Sequence, residues 1–156
     1  MSSAKTSSRR KILALSSGGG HWLQLCRLLP AFQDHDVVLA TTHAGYSSQA
    51  QGYRFRAIPD ATRWNKLKLV WLSCHVLILL LRERPDIVIS TGAAPGYLAL
   101  RLGKLLRMRT IWVDSIANAK ELSLSGQKIG PYADLWLTQW EHLARPGGPH
   151  YAGSVL

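Results

Sequence analysis

The chain has 156 residues, 47% of them hydrophobic, which suits one compact domain of the usual roughly 100 to 200 residues rather than two. Nineteen Lys and Arg against nine Asp and Glu give a net charge of +10, so the favoured partners are anionic: nucleic acid, phosphorylated substrate or acidic lipid. Nucleic acid is set aside, because the basic residues are not interleaved with exposed aromatics in any recognisable module.

Residues 1–10 carry charge with no signal-length apolar core behind them, and read as a mobile basic tail before a single domain spanning 11–156. Lys11 to Ser16 reads as a buried strand. His21 to about Phe32 reads as a helix, since Trp22, Leu25, Cys26 and Leu29 recur at helical spacing, although Pro30 blurs its end. Asp34-His35-Asp36 imitates a metal-binding Asp-x-Asp. It precedes the second strand, Val37 to Thr41, on the rim away from the strand C-termini, so a solvated turn and no metal are expected. Tyr53, Phe55 and Ala57 alternate with Arg54 and Arg56 in a third strand that Pro59 ends, which marks a sheet edge.

Asn65 to Glu83 reads as a helix, apolar on nearly every side between 69 and 81 and flanked by Arg63, Lys66, Lys68, Arg82 and Arg84. It is shorter than the roughly 20 apolar residues that span a bilayer. A core helix needs only one apolar face. The surplus, with Trp71, Leu72, Lys66 and Lys68 as the expected contacts, points to an anionic membrane surface or to burial against a partner subunit. Asp86 to Ser90 is a strand, Pro95 to Met108 a helix, and Thr110 to Val113 and Ala133 to Thr138 are two further strands. Alternation of this kind predicts an α/β, Rossmann-like doubly wound parallel sheet of order 3-2-1-4-5-6. Cys26 and Cys74 lie in apolar runs without Cys-x-x-Cys spacing, and are expected to be buried, reduced thiols of a cytosolic setting.

The first strand runs into Ser17-Gly18-Gly19-Gly20 and a helix, an arrangement in which backbone N–H groups and the positive helix end approach an anion. It is not a dinucleotide fingerprint, because the sixth place counted from Gly18 is Leu23 and the second strand ends in Thr41, Thr42 and His43 without an acidic ribose contact. Neither a Gly-Lys-Ser/Thr loop nor a nucleophile elbow is present, so no cofactor is expected. Thr91, Gly92 and Ala93 form a second small-residue turn, either a diphosphate contact or a close-packed corner. His21, at the crevice edge, either accepts a proton from an acceptor hydroxyl or caps the glycine loop. Asp114 ends the fifth strand, where it either orients acceptor hydroxyls and assists deprotonation or serves as a turn residue.

The order strand, Ser-Ser-Gly-Gly-Gly-His, helix, with STGAAPG at 90–96 and SLSGQKIGPYADLWLTQWE at 123–141, resembles a known family. It is similar to the PssD-like acceptor-binding half-glycosyltransferases of bacterial exopolysaccharide assembly and to the eukaryotic membrane subunit that adds the second GlcNAc in asparagine-linked glycosylation. The resemblance implies the N-terminal domain of a GT-B glycosyltransferase, on the cytoplasmic face of the inner membrane. It also implies a separate nucleotide-sugar-binding subunit as partner and a polyprenyl-diphosphate-linked saccharide as acceptor. A UDP-sugar of GlcNAc or GlcA type would be the donor, and the anomeric centre would invert. His21 and Asp114 carry over as catalytic candidates, and Ser17, Gly18, Gly19, Gly20, Thr91, Gly92, Ala93 and Asn118 as acceptor and diphosphate contacts. The family pattern more often has Glu at 114 and a basic residue near 118. The competing reading is a non-catalytic membrane adaptor that positions a complete transferase.

Overall fold

A computed structural model describes residues 8–155; residues 1–7 of the expected tail lie outside the described residues. Seven strands form one parallel sheet: β1 Lys11–Ser16, β2 Asp36–Thr41, β3 Arg54–Ala57, β4 Ile87–Ser90, β5 Arg109–Val113, β6 Leu135–Thr138 and β7 His150–Tyr151. Their order is β3-β2-β1-β4-β5-β6-β7, the expected doubly wound arrangement with β3 at one edge and a seventh, two-residue strand added at the other. Four α-helices connect them: α1 Gly20–Leu28, α2 Lys66–Glu83, α3 Ala93–Leu105 and α4 Leu124–Ile129.

Parallel strands covered on both faces read as continuous apolar runs, and Ile12, Leu13, Ala14 and Leu15 are all 2% exposed or less. Their alternation splits the core in two. Ile12 and Ala14 pack with Trp22, Leu25 and Leu29 beneath α1, whereas Leu13 and Leu15 pack with Leu72, Val76, Leu80 and Leu100 beneath α2 and α3. The helix expected to reach Phe32 stops at Leu28, and the chain tightens into a 3-10 turn over Leu29–Phe32 around Pro30, which has no N–H for an α-helical bond. α3 starts two residues earlier than expected, at Ala93. Pro95 then falls in its first turn, where the missing N–H loses no intrahelical bond.

α2 is capped by the Asn65 side chain, which accepts from the Lys68 N–H at 3.0 Å. Its inner face buries Leu72, Val76, Leu79 and Leu80. Its outer face exposes Leu67, Val70, Trp71, Ile78 and Leu81, in line with Trp64 just before the helix. This corrects the expectation for Leu72: it is fully buried, while the neighbouring Trp71 is 60% exposed, because adjacent helical residues point about 100° apart. Lys66 and Lys68 are exposed as expected. The cysteine expectation needs correction too. Both thiols are free, but Cys74 is exposed on α2 and Cys26 is only half-buried, its thiol pushed up by that burial.

At the end of α2, Glu83 is 7% exposed and serves three cations, Lys11 Nζ at 3.0 Å, Arg54 Nη1 at 3.1 Å and Arg56 Nη2 at 3.0 Å. Burial raises its pKa, but the Lys11 hydrogen bond and the charges of Lys11, Arg54 and Arg56 outweigh burial and hold the carboxyl below its ordinary value.

Two outcomes follow for stability. Leu72→Ser should cost about 3–5 kcal/mol of unfolding free energy by denaturant titration, whereas Trp71→Ser should stay within about 1 kcal/mol. Glu83→Gln should cost on the order of 1–3 kcal/mol near neutral pH, where the carboxylate is charged in both states. A lowered native pKa confers stability above the unfolded value near about 4.3 and loses it as pH falls through the native value, so the gap between wild type and variant should close in acid. A gap that persists unchanged at low pH would contradict the ion-pair account.

Candidate functional site

In a doubly wound sheet the ligand crevice opens at the strand C-termini where successive crossovers leave in opposite directions. Here that point lies between β1 and β4, which pair in parallel from Ile12↔Ile87 to Leu15↔Ser90. The turns that follow these strands are Ser17–Gly20, leading into α1, and Thr91–Gly92, leading into α3, so two helix N-termini meet above the same strand pair. Their first-turn N–H groups have no intrahelical acceptor and their dipoles favour an anion. The structure therefore brings together Ser17, Gly18, Gly19, Gly20, His21, Thr91, Gly92 and Ala93. The crevice loops 16–20, 41–49 and 90–94 contain no Lys, Arg, Asp or Glu.

His21 crosses from α1 to the β4 turn. Its Nδ1 lies 2.9 Å from the Thr91 carbonyl oxygen, and the Thr91 hydroxyl donates back to the His21 carbonyl at 2.6 Å. A carbonyl only accepts, so Nδ1 carries a proton and the neutral ring keeps its lone pair on Nε2. Gly92 is what lets the ring in: a Cβ there would stand 2.6 Å from His21 Cε1 and Nδ1, and its φ of 136° disfavours any side chain. This left-handed turn extends to Ala93, at φ 67°.

Two crevice residues escaped sequence reasoning. His43, exposed just after β2, lies against the glycine hinge, where a Cβ on Gly18 would stand 2.1 Å from its Cδ2. Tyr46 stacks on Trp22 at 5.3 Å between ring centroids, and its hydroxyl accepts from the Gly19 N–H at 3.2 Å. One of the hinge donors is thus already used. No spacing in the sequence signals either contact, since each joins loops brought together only by the β1–β2 pairing.

Asp114, directly after the C-terminal end of β5, is 1% exposed. Its carboxylate accepts from Trp112 Nε1 at 3.1 Å, Ser123 Oγ at 2.6 Å, the Ser123 N–H at 3.0 Å and Asn118 Nδ2 at 3.3 Å. The three bonds from Asn118 and Ser123 tie the loop 115–123 to the end of β5, and the fourth comes from β5 itself. The expectation that Asp114 faces an acceptor is therefore corrected: its lone pairs are occupied, and it anchors the loop that carries Asn118. Gln24 of α1 and Gln139 after β6 complete the support beneath. Gln24 accepts from the Ile116 N–H at 3.1 Å and from Gln139 Nε2 at 2.6 Å, and donates to Ser115 Oγ at 3.0 Å. A concavity of about 980 Å³ lies at the opposite end of the sheet and shares no residue with this site.

A doubly wound parallel sheet with a glycine hinge and a histidine at its switch point has the Rossmann-like fold of GT-B glycosyltransferase domains. The chain superposes on MurG from Acinetobacter baumannii with a TM-score of 0.74 at 11% identity, covering 94% of this chain and 46% of that one. It also superposes on a UDP-N-acetylglucosamine 2-epimerase from Rickettsia bellii with a TM-score of 0.71 at 18% identity, covering 94% and 45%. It thus spans about half the length of either neighbour, and identities this low establish the fold alone.

The sequence supplies the family. The chain belongs to the oligosaccharide biosynthesis Alg14-like proteins, whose family model matches residues 53–154. It is 27% identical over 173 residues to the UDP-N-acetylglucosamine transferase subunit alg14 of Schizosaccharomyces pombe, covering 92% of this chain and 81% of that protein. The corresponding subunit of Eremothecium gossypii is 25% identical over 168 residues, covering 87% and 75%. The glycine hinge and His21 precede the matched segment.

The occupied carboxylate and the open imidazole should separate on substitution. Asp114→Ala should lower unfolding free energy by about 2–4 kcal/mol, because the Ser123 N–H and Trp112 Nε1 lose their acceptor, whereas His21→Ala should stay within about 1 kcal/mol. Thermal unfolding of the two variants checks this.

Proposed function

We propose that this chain is the acceptor-binding subunit of a two-component inverting glycosyltransferase. It would work with a separate nucleotide-sugar-binding subunit to move a sugar from a UDP-sugar to a polyprenyl-diphosphate-linked acceptor in polysaccharide assembly of the PssD-like type. The observation that carries this reading is the imidazole of His21, its Nδ1–H fixed on Thr91 and its Nε2 lone pair left over, at the meeting point of two helix N-termini.

In the proposed step an acceptor hydroxyl oxygen attacks the anomeric carbon while its proton passes to His21 Nε2. The C–O bond to the donor phosphate breaks on the opposite face, and UDP leaves with the electron pair. Ser17, Gly18, Gly20, Thr91 and Ala93 would surround the acceptor diphosphate with backbone N–H groups, while the Gly92 N–H is held by Ser90 Oγ at 3.1 Å and Gly92 contributes its bare backbone; the crevice loops bring no carboxylate to this cradle. Asp114 acts as a positioning residue through the loop of Asn118. The exposed stripe Trp64, Leu67, Trp71 and Ile78, edged by Lys66 and Lys68, supports peripheral attachment to an anionic membrane. Two free thiols accord with its cytoplasmic face.

The adaptor reading differs in needing no chemical group from this chain. In the assembled complex, His21→Ala should lower kcat by roughly 100-fold or more with KM for the acceptor little changed, given usual general-base contributions. Undiminished turnover in a complex that assembles normally would favour the adaptor.

A further inference from the structure

The unassigned concavity at the N-terminal ends of β4 and β5 is rimmed by four guanidinium groups, those of Arg10, Arg84, Arg107 and Arg109. None forms an ion pair among the described residues. Glu83 is shared by Lys11, Arg54 and Arg56, and Asp86, which lines the same concavity, has one carboxylate oxygen turned to the Lys11 N–H at 2.8 Å. Four arginines against the single carboxylate of Asp86 leave a net positive basin at the far end of the sheet from His21.

The backbone carries a second signal. Arg84 follows α2 with φ 45° and Arg107 follows α3 with φ 62°, the left-handed positions where a helix end favours Gly or Asn. Two equivalent helix-to-strand connections thus keep an arginine where glycine is conformationally cheaper. The apolar surroundings narrow the ligand further. Leu81, Leu106 and Met108 line the concavity, and Leu81 and the neighbouring Leu105 are 51% and 78% exposed. A free polyanion has no use for those leucines, whereas an amphiphile with a phosphate head and acyl chains matches both.

We infer that this basin is an acidic-phospholipid head-group site, a second membrane contact at the end of the molecule opposite the crevice. It rests on the reading of the outer α2 face as lipid-facing, because Leu81 continues that stripe directly into the basin. The guanidinium groups bind the phosphate through paired N–H donors, and the leucines meet the acyl chains.

Flotation of the full chain with phosphatidylcholine vesicles, with and without phosphatidylglycerol, tests the site. The double variant Arg84→Gly, Arg107→Gly removes two charges at positions whose backbone suits glycine, so its melting temperature should not fall. Its preference for phosphatidylglycerol over neutral vesicles should drop on the order of 10-fold or more, with neutral binding unchanged. Trp71→Ser should instead weaken binding to both vesicle types. A folded double variant that keeps the full preference overturns the head-group site and leaves the α2 reading standing. Failure of the wild type to float with either vesicle overturns the α2 reading and the site with it. If inorganic phosphate saturates wild type in calorimetry while vesicles show no acidic preference, the ligand is a soluble phosphate and the lipid assignment falls.

Discussion

The reciprocal pair between His21 and Thr91 is the contact on which the rest of the site depends. It ties the start of α1 to the end of β4 through two hydrogen bonds that run in opposite directions, from ring to carbonyl and from hydroxyl to carbonyl. Parallel strands offer no hairpin to hold such ends together. β1 and β4 are more than 70 residues apart in the chain, and their C-terminal turns meet only because the sheet pairs them. The pair converts that adjacency into a fixed ring orientation. Gly92 completes it by presenting a bare backbone to the imidazole, as Gly18 does to His43 on the other flank. Three successive loops along the crevice are thus registered by histidine against glycine.

Beneath that rim the polar residues are engaged with one another. Gln24, Ser115 and Gln139 are each less than 7% exposed and exchange hydrogen bonds, and Gln139 Oε1 also accepts from the Val155 N–H at 2.9 Å. An unmet amide in such a place would be destabilising, and a complete set fixes geometry instead. α1, the loop after β5 and the last described turn of the chain are therefore joined through one set of side chains. The imidazole above them stands on a base that resists displacement.

The sheet was legible in the sequence because its central strands are covered on both faces, and runs such as Ile12–Leu15 and Val37–Ala40 admit few other readings. α4 and β7 were not, being a six-residue helix that contains Ser125 and Gly126 and a two-residue strand, too short for periodicity to register. The phase of α2 was hidden for a different reason. With apolar residues at both Trp71 and Leu72, composition does not say which faces inward, and only the packing of the helix against Leu13 and Leu15 of β1 decides it. At the crevice, His21 and the two small-residue turns could be read from a strand running into glycines. Asp114 could not, since a carboxylate at a strand end looks the same whether it faces a substrate or its own loop. His43 over Gly18 had no local signature at all.

The course of α2 has a mechanical consequence. The helix runs back against the strands from the crevice end to the arginine-rimmed end, and its 18 residues span about 27 Å. Laid along a surface it is a beam with the crevice edge at one tip. A tilt of roughly 10° about the far tip would lift that edge by about 5 Å, one turn of helix. On the proposed reading, the reach of the crevice toward a lipid-borne hydroxyl would be governed less by the crevice itself than by how level the beam lies.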